Sequence, residues 1–318
     1  MDTKSDRPSF NEVYFPHAVR EQARVRENGI HFVHYTRAEV AMDILRSRHV
    51  WMRKTSCMND FTEVRHGLQR LANAYRGANG ERLKGVLEGL YPGISGEIED
   101  RFNSWDYALE YDTYIMCVSE HRDDEDLTGR LSMWRAYGVG AGVALVLNNT
   151  PFLSPSDALK AYSSPVAYLD DQAFDERFGE FVHSLEKHSD YLKSEGKEVT
   201  IWGILSAFKF AALCTKHPGF REELEWRVLY TPAHHRSDHL IKEIQAVGGI
   251  PQPIYKIPLR NIPEEGFHGA EIPELVDRII IGPTAYAMAT YEAFKELLTD
   301  AGVADAGSRI VVSDIPLR

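Results

Sequence analysis

Cysteine is scarce: the chain of 318 residues has Cys57, Cys117 and Cys214, far apart and without paired spacing. That argues against a disulfide scaffold and a cysteine-rich zinc module, and thiols among apolar neighbours read as small buried hydrophobes in a reducing compartment. Long apolar runs are missing as well, since no stretch approaches the roughly 20 residues that a membrane helix needs. Met1 to Phe10 is polar and charged, so no secretory leader is expected, and the expected setting is cytoplasmic with no membrane partner. Positive charge is in deficit, 36 Lys and Arg against 47 Asp and Glu for a net charge of −11. The surface as a whole therefore repels nucleic acid and anionic lipid, and any nucleic-acid contact must be local. Glycine fingerprints are absent too: there is no Gly-x-Ser-x-Gly elbow, no Walker loop and no dinucleotide-fold motif, which disfavours a hydrolase triad, a phosphate-loop enzyme and a Rossmann dehydrogenase.

What remains is an ordinary globular balance, 43% hydrophobic and 26% charged. Hydrophobic periodicity predicts a helix from Glu12 to Asn28 ended by Gly29, a strand from Ile30 to Tyr35, and a helix from Ala38 to Ser47 capped by Thr36. A second strand is expected at His49 to Arg53, and a helix capped by Asn59 or Asp60 after it. Further strands are expected at Thr113 to Ser119, Gly142 to Leu147 and Pro165 to Leu169, with a short helix at Met133 to Tyr137. Two long helices follow between Asp171 and His217, the second apolar enough for the core. Strands return at Glu225 to Tyr230, Ile254 to Leu259, Arg278 to Ile281 and Arg309 to Val312, with a helix from Thr284 to Leu298. Helices and strands do not alternate regularly, so the expected class is α+β, a central mixed or split β-sheet with helices packed around it, rather than a doubly wound fold. No repeat, low-complexity tract or long linker interrupts the chain. The expected organisation is a polar helical leader, residues 1–29, and one domain, residues 30–318, with a helical insertion around 171–217.

Three constellations carry candidate chemistry. His34 lies at a strand end beside Tyr35 and Thr36, where a helix begins, and Arg46, Arg48, Arg53 and Lys54 make the following segment basic. That arrangement suits a core histidine beside a solvated face, or an anion site at the helix start. Cys117-Val118-Ser119-Glu120 delivers a serine and a glutamate to the end of a buried strand. Trp134 and Tyr137, spaced i, i+3, share a helix face and suit either an aromatic wall for a flat ligand or core packing. In Glu223-Leu224-Glu225-Trp226-Arg227, a strand that began by Glu223 would set Glu223, Glu225 and Arg227 on one face and Trp226, Val228 and Tyr230 on the other. Two carboxylates beside an arginine suit a buried ion-pair network or a site that stabilises positive charge. His31 and His34, and the loop histidines His234, His235 and His239, lack convincing metal-ligand spacing, so no metal is expected.

In order, His34-Tyr35-Thr36 with Ile44-Leu45, Met58-Asn59-Asp60 with Glu63, Cys117 to Glu120, Met133-Trp134 with Tyr137, Lys216-His217 with Phe220, Glu223-x-Glu225-Trp226-Arg227 and Ile281-Gly282-Pro283 resemble the bacterial family known as domain of unknown function 2971 (DUF2971). The resemblance spans about Ile30 to Pro283. A more distant likeness, histidine at a strand end, serine or tyrosine in the middle and a late strand glutamate, is to ADP-ribosyltransferases of the histidine-tyrosine-glutamate kind. That resemblance implies NAD as the substrate, a small-molecule nucleotide partner and an acceptor, protein or nucleic acid, left open. It implies Glu225 and Glu223 as catalytic residues, and His34, Tyr35, Thr36, Arg53, Ser119, Trp134, Tyr137 and Arg227 as NAD-binding residues. In place of that superfamily's full serine-threonine-serine pattern the chain has Ser119-Glu120. The alternative from a different class is a non-catalytic ligand-binding or sensor module, and after it a metal-dependent nuclease or hydrolase.

Overall fold

The run Gly142–Leu147 carries no polar side chain, and in the computed structural model all 6 of its residues are buried inside a large mixed β-sheet. The structure describes residues 7–57, 61–138 and 140–316. The expected cap at Asn59 or Asp60 lies outside them. The strands are β1 (Phe32–Arg37), β2 (His49–Lys54), β3 (Tyr114–Glu120), β4 (Gly142–Leu147), β5 (Tyr162–Pro165), β6 (Ala167–Tyr168), β7 (Thr215–Lys216), β8 (Glu225–Tyr230), β9 (Ile241–Val247), β10 (Ile250–Pro258), β11 (Val276–Ile281) and β12 (Ile310–Val312). The main sheet runs β12-β11-β4-β1-β3-β2-β10-β9, and β8 also pairs with β3. β11 and β12 are parallel, whereas β1, β4, β2, β3, β8, β9 and β10 join antiparallel neighbours. The protein is therefore α+β with a large mixed central sheet.

By contact density the chain divides into two compact units. One comprises Met1–Ala23, Thr55–Thr113 and Ser164–Glu222; the other comprises Arg24–Lys54, Tyr114–Ser163 and Glu223–Arg318. The second holds the sheet. One core there joins Phe32, Met116, Val118, Trp226, Val228 and Tyr230 with Ile44 and Leu45 of the helix Ala38–Ser47. A smaller cluster joins Val33, Tyr35, Met133, Trp134, Ala144, Val146 and Ile280. Strand alternation separates these sets, because Phe32 and Val33 point to opposite faces.

Four local expectations are corrected. Thr36 does not cap the helix Ala38–Ser47: the antiparallel pairing of β1 with β4 continues through Thr36↔Val143 to Arg37↔Gly142, so Thr36 is strand and Arg37 holds the cap position without a side-chain bond. The two long helices after Asp171 are three, Asp171–Lys187, Ser189–Glu195 and Lys197–Leu213, parted at His188 and at Gly196, whose φ of +89° favours glycine. β9 was not expected; it forms a hairpin with β10 through Gly248 and Gly249, both at positive φ. Finally, β8 begins at Glu225: Glu223 ends a 3-10 turn, and Leu224 between them takes a φ of +47°, so alternation does not extend back to Glu223.

The other unit is built on helices. Its core joins Val13 and Tyr14, Leu71, Leu83, Ile98, Phe174 and Phe178 with Ile201, Ile204, Leu205 and Phe208 of the helix Lys197–Leu213. Of its 17 residues 10 are buried, as its apolar composition leads one to expect. A β-carbon on Gly203 would collide with the Tyr14 ring, so the helix passes that ring only because the position is glycine. Among the described residues no helix is long and apolar enough to cross a membrane.

Lys209 is buried in the same helix, its ammonium 5.4 Å from the ring of Phe210. Burial pulls this amine down from 10.5 to about 8. Below pH 8 it is charged in both folded and unfolded chains; between 8 and 10.5 the unfolded chain binds the extra proton, so stability rises with pH across that window. Lys209→Met, which keeps the stem and removes the charge, is expected to stabilise the fold by roughly 2–3 kcal/mol at neutral pH and to flatten the rise. Urea denaturation at neutral pH and at pH 9–10 reads both effects; an unstable Lys209→Met protein would contradict them.

Candidate functional site

β3 has β8 on one edge, in register from Tyr114↔Tyr230 to Ser119↔Glu225. Its other edge serves two strands. β1 pairs with Ser119 and Glu120, and β2 pairs with Tyr114 and Ile115. Between those pairings the sheet divides, β1 leading to β4 and β2 to β10. His34 sits at this division: its Nδ1 lies 3.0 Å from the carbonyl oxygen of Cys117. A carbonyl only accepts, so Nδ1 carries the proton and Nε2 keeps its lone pair. Burial lowers the imidazole from its ordinary value, which favours that neutral form.

Directly opposed residues share a face. Ser119 opposes both Val33 and Glu225, Cys117 opposes Arg227, and Arg53 of β2 opposes Ile115. Ser119, Cys117, Glu225, Arg227 and Arg53 therefore lie on one face, with Val33 and Tyr35 continuing it. His34 and Thr36 start from the other face, so the structure does not set His34 beside Glu225; the imidazole meets the division at the strand edge. Glu225 is bound on both oxygens by Arg227, Oε1 accepting from Nε at 2.8 Å and Oε2 from Nη2 at 3.3 Å, and both residues are buried. Arg53 donates from Nε to Oε1 of the buried Gln252 at 3.2 Å.

The aromatic residues part company. Trp134 is buried, stands edge-on to Tyr35 at 4.8 Å, and donates from Nε1 to the Thr128 carbonyl at 2.9 Å. Tyr137, one turn on, is 40% exposed. They do not form a shared wall. Tyr35 is tied from its hydroxyl to the Arg130 amide at 2.8 Å, and burial pushes the phenol up to about 12, so it stays neutral. Glu223 offers its backbone carbonyl to Arg130 at 3.2 Å.

The segment after Glu120, to which the sequence motifs assign no role, supplies much of the polar structure here. Arg130 grips Glu125 with two bonds of 2.7 and 2.9 Å and also donates to the Glu120 carbonyl at 3.0 Å. His121 is buried and donates from Nε2 to Asp126 at 2.7 Å, and Arg278 holds the other oxygen of Asp126 at 2.8 Å. Burial raises the Asp126 carboxyl, but His121 and Arg278 outweigh it and hold the group below its usual range. The only signal in the sequence is the spacing of Glu125 and Arg130 around Gly129, whose positive φ turns the loop back on the Trp134 ring. No cluster of three metal-ligating side chains occurs among the described residues.

Chemically, this arrangement offers a fixed carboxylate, a neutral imidazole with a free acceptor nitrogen, and guanidinium groups around a division in the sheet. Such a set can hold hydroxyl and phosphate groups and stabilise a cation without a protein nucleophile.

Comparison with known proteins agrees with the motif reading over part of its span. No curated protein and no solved structure matches the chain. Residues 133–228, which run from Met133 into β8 as far as Val228 and include Trp134, Tyr137, Glu225 and Arg227, match one family model. Over that segment the chain is similar to the family described as protein of unknown function (DUF2971).

Proposed function

We propose that the chain is an ADP-ribosyltransferase-like enzyme that cleaves the nicotinamide–ribose bond of NAD and transfers ADP-ribose to an acceptor. The observation that carries this reading is the His34 imidazole on the Cys117 carbonyl, where β1 and β2 part from one edge of β3. In this reading NAD lies along the division. His34 Nε2 accepts from a ribose hydroxyl, and Arg53 and Arg227 serve the pyrophosphate. As the bond from C1′ to the nicotinamide nitrogen breaks, its electron pair leaves with nicotinamide and positive charge grows on the ribose. The Glu225 carboxylate, held by Arg227, stabilises that charge. The acceptor then bonds to C1′ and gives up a proton.

A specific observation favours a second reading, the non-catalytic binding module: Glu225 is buried and committed to Arg227 on both oxygens. NAD binding itself is tested by thermal melting. In the proposed reading NAD in the millimolar range raises the melting temperature by mass action, and Arg53→Ala, at a half-buried position, responds less. No shift in the unmodified protein would contradict NAD as the ligand of either reading.

A further inference from the structure

The helical unit carries a second polar cluster, in which the motif residues Glu63, Lys216, His217 and Phe220, unused by the proposed site, meet His66, Arg70 and Asp171. Along the helix Phe61–Arg76, Glu63, His66 and Arg70 recur at i, i+3 and i+7 and so share one face. Arg70 is buried; its Nε donates to His66 Nε2 at 2.7 Å, and it pairs with Asp171. Lys216 is more deeply buried, pairs with Glu63 at 3.1 Å, and lies 5.2 Å from the ring of Phe220. His217 follows, exposed, its ring centroid 6.3 Å from that of His66, and its Nδ1 accepts from the Gly219 amide at 3.1 Å.

These bonds fix what each ring can offer. An arginine only donates, so His66 Nε2 must be the unprotonated nitrogen and its proton is on Nδ1. A backbone amide likewise only donates, so the neutral His217 carries its proton on Nε2. Both lone pairs are consumed, and each neutral ring has one N–H left to give. A metal ion needs a lone pair and is excluded as the ligand; the complement of two N–H donors beside the Arg70 guanidinium, with the Lys216 ammonium buried next to His217, is an oxyanion. The ring centroids lie 6.3 Å apart, within the span over which one oxyanion can accept hydrogen bonds of about 2.9 Å from two N–H groups. Phe220, 47% exposed, offers an aromatic surface beside it.

We infer that His66, Arg70, Lys216 and His217 form a phosphate-binding site, taking either inorganic phosphate or a phosphate monoester. Asp171 and Glu63 already balance the two cations, so the site recognises by placed N–H donors more than by net charge, and its affinity is modest, with a dissociation constant near 1 mM. The inference is independent of NAD cleavage, because none of these residues serves that site.

The test is calorimetric titration of the full chain with inorganic phosphate and with phenyl phosphate. Both are expected to bind the unmodified protein. His217→Ala, at an exposed position, should melt normally and bind about tenfold or more weakly, and His66→Phe should do the same where it folds. Lys242→Ala, an exposed cation of the other unit, should bind as the unmodified protein does. Tighter binding of phenyl phosphate assigns a monoester with a flat group, and equal binding assigns free phosphate. Binding by neither probe, unchanged binding in His217→Ala, or an equal loss in Lys242→Ala overturns the site.

Discussion

Arg130→Met is expected to destabilise the protein by about 3–5 kcal/mol, the scale for breaking a buried ion pair from one side. The arginine and Glu125 are both buried, and the guanidinium also satisfies the carbonyls of Glu120 and Glu223. Removing it leaves the Glu125 carboxylate with desolvation uncompensated by its partner and loosens the end of β3 against the start of β8. Methionine fills the stem's volume, so the loss reports charge and hydrogen bonds rather than a cavity. Denaturant unfolding should give a lower midpoint with an unchanged slope, and the double variant Glu125→Gln/Arg130→Met should recover part of the loss. A shift under about 1 kcal/mol would mean that the pair does not hold the loop.

Glu225→Gln should move two quantities. The side chain keeps its shape and an acceptor for Arg227 Nε, but the paired charge disappears in a buried setting, and a stability loss of roughly 3 kcal/mol is expected. If the carboxylate also stabilises a ribosyl cation, NAD cleavage by the folded variant falls about 10²–10³-fold, the scale for one preorganised electrostatic partner. Assays well below the melting temperature keep the two effects apart. A stable variant would sink the ion-pair account, and a destabilised variant with normal turnover would sink the catalytic one.

The sequence disclosed the elements whose burial is complete. Gly142–Leu147 and Glu225–Tyr230 match their expected bounds: the first is an unbroken apolar run, and the second carries the β-prone Trp226, Val228 and Tyr230 on one face. β9 was missed although Gly248-Gly249 is a strong hairpin signal: it is an edge strand with Ile241 and Ile244 exposed, so no buried face imposes a clean alternation. No linker announces the two units because each is assembled from three separate chain segments. His34, Ser119 and Glu225 were legible as side chains at strand ends. Their faces were not, since register decides them, and the pairing Val33↔Ser119 turns His34 away from Glu225. Arg130 escaped notice for a related reason: its ties reach Tyr35 and Glu223, 95 and 93 residues away, and local charge patterning cannot show them.

NAD cleavage is the claim on which the rest of the functional account depends, and release of free nicotinamide measures it without knowledge of the acceptor. Purified full-length protein incubated with NAD, with cell extract supplying candidate acceptors, is expected to liberate nicotinamide at a rate proportional to enzyme. Glu225→Gln, compared at equal folded concentration, should release it about 10²–10³-fold more slowly. Nicotinamide release by the unmodified protein no faster than that of the buffer and extract, while NAD still raises its melting temperature, would contradict catalysis and leave the binding module as the function of the His34 and Glu225 site.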